Sequence, residues 1–186
     1  STGPEDVFAL WRRIASLPDA ATCQDPNHAF GPGYAALVVA AAKTRDVKEL
    51  TAIAAKADAQ GDERAQLALT LRLAADALAE DHLPDADKYA RRATTLAESL
   101  AAPVDRVLAL SLSARALCLA GKGEESRRFL EIAIAASRTQ PDTIADVRFT
   151  RAQCLFYEQK FDEALPLLVE SLDHAVRRYG RDSFEA

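Results

Sequence analysis

The chain has 186 residues, enough for one domain with a sizeable core, and 49% of them are hydrophobic while only 6% are aromatic. With 23 Lys and Arg against 28 Asp and Glu, the formal net charge is −5, which opposes a nucleic-acid surface, because such surfaces carry a basic stripe. No run of β-branched residues alternates over strand length, and the abundant Ala, Leu, Arg, Glu and Asp favour helix, so the chain reads as all-α.

Residues 1–4 read as loose linker. Asp6 is placed to cap a short helix through Leu17, in which Phe8, Trp11 and Ile14 form one apolar stripe, and Pro18 ends it. Residues 18–32 are rich in Asp, Pro, Gly and Asn and read as a loop, so 1–32 form a lead-in to the rest. Helix pairs then fill 33–186. The first pair is expected over 33–44 and 47–60, with Asp46 as N-cap and Gly61 as terminator. The second is expected over 63–80 and 84–100, Pro84 suiting a first turn where its missing N–H costs nothing. The third spans 104–120 and 124–138 around a turn at Gly121-Lys122-Gly123, and the fourth spans 143–159 and 162–179 with Gly180 as stop. The domain segments are therefore about 33–60, 63–100, 104–138 and 143–179.

These pairs share one pattern. In the second helix, Leu50, Ala86, Ser126 and Ala164 recur at intervals of 36, 40 and 38 residues, the range of helical solenoids. Twelve residues earlier, in the first helix, stand Val38, Ala74, Ala114 and Ala152. Four residues past the second-helix position come Ala54, Ala90, Leu130 and Leu168, and three further on Ala57, Ala93, Ala133 and Ser171. A small, large, small stripe on one face lets two helices lie close together. A hairpin built this way cannot hide its apolar faces alone, so neighbours must cover them.

The pattern over residues 33–179 resembles the tetratricopeptide repeat family. Phe161-Asp-Glu-Ala-Leu-Pro-Leu-Leu168 followed by Tyr179-Gly-Arg-Asp182 is similar to the kinesin-light-chain subclass, although the usual Trp and Gly of the first helix are missing. Ile14-Ala-Ser-Leu-Pro-Asp-Ala-Ala-Thr-Cys-Gln-Asp25 resembles the segment ahead of the repeats in bacterial, myxobacterial-type serine/threonine protein kinases with C-terminal tetratricopeptide arrays. The resemblance implies a right-handed superhelical solenoid of antiparallel helix pairs, about four repeats plus an N-terminal helix, with first helices lining a concave groove. Carried onto this chain, the groove positions are Leu71, Ala75, Leu78, Ser111, Arg115, Cys118, Phe149, Gln153 and Phe156, with Asp146 and Tyr157 at the edge. In chaperone adaptors of the family Asn and Lys clamp a peptide carboxylate. Here the principal Asn positions hold Val39, Ala75, Arg115 and Gln153, so that clamp is not reproduced.

Catalytic chemistry finds no support. The Gly-rich loop, strand Lys, His-Arg-Asp and Asp-Phe-Gly of kinases do not occur, nor does a G-x-S-x-G elbow. Gly121-Lys122 lacks the Gly five residues upstream that a phosphate loop needs, since Ala116 stands there. His28, His82 and His174 are far apart, and Cys23, Cys118 and Cys154 form no metal-ligand spacing, so neither a metal nor a cofactor is expected. Cys118 and Cys154 read as small core residues, and Cys23 as a loop thiol. Acid pairs at Glu124-Glu125 and Asp162-Glu163 open helices, where they complement the dipole. Arg-Arg pairs at 12–13, 91–92, 127–128 and 177–178 read as solvated helix faces.

The expected function is a non-catalytic protein-interaction scaffold, the C-terminal docking or sensory region of a bacterial serine/threonine kinase, with a protein or peptide in the groove. The alternative is the ligand- or peptide-sensing region of a bacterial transcription regulator. A stand-alone helical enzyme is the third reading, without a residue constellation behind it. The missing initial Met suggests a processed chain or a piece of a longer one, and no signal peptide or transmembrane-length run is visible. A cytoplasmic location is expected, or an extracytoplasmic one if the parent kinase carries a membrane span before the repeats. Self-association through the last hairpin is a further expectation, because that hairpin lacks a polar capping helix.

Overall fold

The computed structural model describes residues 47–179. The predicted N-terminal helix, the 18–32 loop, the helix over 33–44, the Asp46 cap, the Gly180 stop and Cys23 all lie outside the described residues. Seven helices fill the described span: α1 (Val47–Gln60), α2 (Glu63–Ala79), α3 (Leu83–Ser99), α4 (Pro103–Leu119), α5 (Gly123–Ser137), α6 (Ile144–Tyr157) and α7 (Phe161–Tyr179). A single 3-10 turn, Pro141–Thr143, precedes α6. No strand occurs among the described residues, and the expected all-α stack of helix pairs is what forms.

The chain divides into two compact units, residues 1–73 and 74–186, and the boundary falls inside α2. In the first unit, Leu50, Ile53 and Ala57 of α1 are buried, as are Ala65, Leu67, Leu69 and Leu73 of α2. Asp62 caps α2, its carboxylate accepting from Ala65 N at 3.0 Å.

In the second unit α4 packs against α3, α5 and α6, and α6 packs against α5 and α7. Two core clusters show how one hairpin closes over the next. Val107, Leu110, Ala133 and Val147 join α4, α5 and α6, and so do Ala114, Cys118, Leu130 and Cys154. The recurring small positions explain the close approach: Ala74, Ala114, Ala152, Ala86, Ser126, Ala164, Ala93, Ala133 and Ser171 are all buried. Where a serine takes a small position its hydroxyl finds a backbone partner. Ser126 Oγ donates to Ala114 O at 2.7 Å, and Ser171 Oγ donates to Leu167 O at 2.8 Å. Leu168, by contrast, is only half-buried, because no helix covers its outer side among the described residues.

Five helix ends close in one way. The residue after the last turn takes a left-handed backbone: Gly61 (φ 66°), Asp81 (62°), Ala101 (49°), Gly121 (74°) and Gln159 (62°). The next N–H then reaches back five residues, from Asp62 to Ala57 O, His82 to Ala77 O, Ala102 to Ala97 O, Lys122 to Leu117 O and Lys160 to Leu155 O, at 2.8–3.1 Å. Each bond satisfies a carbonyl that the helix end leaves open. The two glycine stops were predicted. Those at Asp81, Ala101 and Gln159 were not, since a non-glycine there costs about 1–2 kcal/mol, which the hydrogen-bonded closure offsets. Prolines start two helices: Pro103 opens α4, and Pro84 sits one residue inside α3, so α3 begins one position earlier than expected.

Outer helices are tied by Arg91 of α3. Its Nε donates to Asp87 Oδ2 at 2.8 Å, its other end lies 3.6 Å from Glu125 Oε2 on α5, and its guanidinium stacks 4.6 Å from the Phe129 ring centroid. Arg91, Arg92, Arg127 and Arg128 are all exposed, as expected of solvated helix faces, and Arg91 in addition bridges α3 and α5.

Candidate functional site

The face of α6 that carries the groove candidates reads Asp146, Phe149, Gln153 and then Phe156 and Tyr157, three and four residues past Gln153, and therefore lies on one side of the helix. Asp146 is exposed. The three aromatic side chains are far more exposed than core residues of their size: Phe149 43%, Phe156 54% and Tyr157 56%. The Phe156 ring meets Tyr157 edge-on at 6.3 Å and Phe161 at 5.1 Å. Phe161 starts α7, so the aromatic surface runs across the hairpin turn. Sequence reasoning placed Phe161 at a repeat start and did not connect it with the groove.

On α4 the equivalent positions are Ser111, Arg115 and Cys118. Ser111 is buried and donates to Val107 O at 2.9 Å, which leaves it little surface for a ligand. Cys118 is also buried, its Sγ lying 3.6 Å from Cys154 O on α6. The Cys118 thiol is pushed far above its ordinary range by hydrogen bonding to Cys154 and by burial, so it stays protonated. Cys154 is lowered, chiefly by that same hydrogen bond and despite its burial. Arg115 is half-buried. Its Nε is buried without a hydrogen-bond partner, and so is Gln153 Oε1, at the equivalent position on the adjoining helix. A donor and an acceptor are thus left unpaired just beneath the surface of the two helices, with aromatic rings beside the acceptor. On α2, Leu78 is buried in a cluster with Ala77, Ala86 and Ala116, Ala75 is exposed, and Leu71 is half-buried in the N-terminal unit.

A second surface lies on the last hairpin, which was expected to be uncapped, although its residues were not singled out. Phe161, Leu165, Val169 and Leu172 form an exposed stripe on α7. The positions matching Leu165 and Val169 are Arg127 and Glu131 in α5, and Asp87 and Arg91 in α3. Two cavities lie where α5 meets the last hairpin. One, of about 380 Å³, is floored by Ile134, Ile144, Val147 and Leu167. The other, of about 280 Å³, reaches Leu130, Cys154 and Leu155, and Ile134 and Arg151 line both. No described helix is long and apolar enough to cross a membrane.

Comparison with known proteins fits this architecture. No family model matches the sequence, and no curated protein matches it either. A crystal structure from Podosopora anserina, described as a kinesin light chain with nearly identical TPR-like repeats, superposes with a TM-score of 0.58 at 15% identity. The match covers 94% of this chain and 87% of that one, so the chain has the fold of a TPR-like repeat protein.

Proposed function

We propose that the chain is a protein-interaction scaffold whose α4 and α6 grip a peptide, with Arg115 and Gln153 as polar anchors and Phe149, Phe156 and Tyr157 as the apolar wall. The observation that carries this reading is the exposed aromatic surface of Phe149, Phe156 and Tyr157, next to two polar atoms without partners, Arg115 Nε and Gln153 Oε1. When the two side chains turn outward, a peptide bond offers a carbonyl to Arg115 Nε and an N–H to Gln153 Oε1, and leaving such atoms unpaired costs about 1–3 kcal/mol each. Asp146, exposed on the same face of α6, belongs to the proposed site, whereas Leu78 and Ser111 are buried and offer it no surface.

Panning a random peptide library against the chain tests the reading. Selected peptides are expected to lose at least ten-fold in affinity on Gln153→Ala and on Phe156→Ala. Peptides that bind these variants as tightly as the parent chain would place the site elsewhere. We further propose that this scaffold serves as the docking region of a bacterial serine/threonine kinase, on the strength of the Ile14–Asp25 resemblance alone. A kinase domain in the same reading frame is the expected finding, and a DNA-binding module there would favour the regulator reading.

A further inference from the structure

We propose that the 380 Å³ cavity between α5 and the last hairpin is a second binding site, for a small acid with an apolar body of acyl or aryl type. Its floor is four aliphatic side chains, and its size falls in the range of small-molecule pockets. Its rim is basic: Arg138 at the end of α5, with Arg148 and Arg151 on α6, against one acid, Glu170 on α7. Arg148 is held by Glu170 at 3.2 Å. Arg138 and Arg151 have no ion-pair partner among the described residues.

This local excess of positive charge stands out in a chain of net charge −5. The neighbouring cavity makes the contrast internal, because its lining balances three bases with three acids. Guanidinium groups present paired N–H donors that match a carboxylate, and an apolar floor below them matches a hydrocarbon or ring. An acid seated here brings its charge to Arg138 and Arg151 and its body to Ile134, Ile144, Val147 and Leu167. Glu170 opposes it, by occupying Arg148 and by repelling a second carboxylate. The site lies away from Phe149, Gln153 and Phe156, so the inference does not depend on the peptide surface.

Calorimetric titration with decanoate, decan-1-ol and decyltrimethylammonium, each below its micellar concentration, tests the proposal. Decanoate is expected to bind saturably at one site, at least ten-fold more tightly than the alcohol, with no binding by the cation. The double variant Arg138→Gln/Arg151→Gln should weaken decanoate at least ten-fold, and Glu170→Gln should tighten it. All three positions are exposed, so thermal melts should match the parent chain and exclude misfolding as the cause. Three results would overturn the assignment: no saturable decanoate binding, equal binding of the cation, or full affinity in the double arginine variant. The last would place the ligand on the exposed α7 stripe instead.

Discussion

The third and fourth hairpins, α4–α5 and α6–α7, share a backbone plan and differ in what covers them. Where α4 has Ser111 and Cys118, at 6% and 7% exposure, α6 has Phe149 and Phe156, both largely exposed. Where α5 has Arg127 and Glu131, α7 has Leu165 and Val169. The small residues of the third hairpin let α6 settle against it and are then sealed. The large residues of the fourth would hold a helix off at that distance. One hairpin is therefore shaped to receive a neighbour of its own kind, and the other to present apolar surface.

Packing experiments can break this contrast. Leu130→Ala removes a sealed side chain and is expected to cost about 2–5 kcal/mol. Leu168→Ala, at the matching but half-buried position, should cost clearly less, about 1–2 kcal/mol. Urea denaturation of both variants measures the difference, and equal costs would show that α7 is covered as well as α5. Ser126→Ala removes the 2.7 Å bond to Ala114 O and should cost about 1 kcal/mol. Ala164 fills the same position of the fourth hairpin without a hydroxyl, so Ala164→Ser is the reciprocal substitution by which that value is sharpened. The smallest effect concerns the turns. Ala101→Gly relieves a left-handed alanine and should raise stability by up to about 1 kcal/mol, read as a higher thermal midpoint.

Much of this contrast was written in the sequence. The intervals of 36, 40 and 38 residues located the small positions, and helix ends at glycine or proline were visible because those residues restrict or free the backbone directly. Asp81, Ala101 and Gln159 were hidden, because their conformation is imposed by a hydrogen bond that any residue can make. Groove positions were read from periodicity alone, which gives a direction around a helix and not the depth. Hence Leu78 and Ser111 appeared beside Phe149 and Phe156, though burial separates them. The proximity of Cys118 and Cys154 was obscured by their 36-residue spacing, two short of the repeat between these hairpins. The basic cavity could not be read at all, since Arg138, Arg148 and Arg151 meet only after α5 and α6 pack together.

Helix α6 carries both proposed sites. About 100° of rotation per residue sets Arg151 roughly opposite Phe149, Gln153 and Phe156 on the same rod, with Arg148 toward its flank. If occupancy of the arginine side shifts or stiffens that rod, the aromatic side must register the change. Thermodynamic linkage then makes the traffic mutual: whatever factor the acid applies to peptide affinity, the peptide applies to the acid.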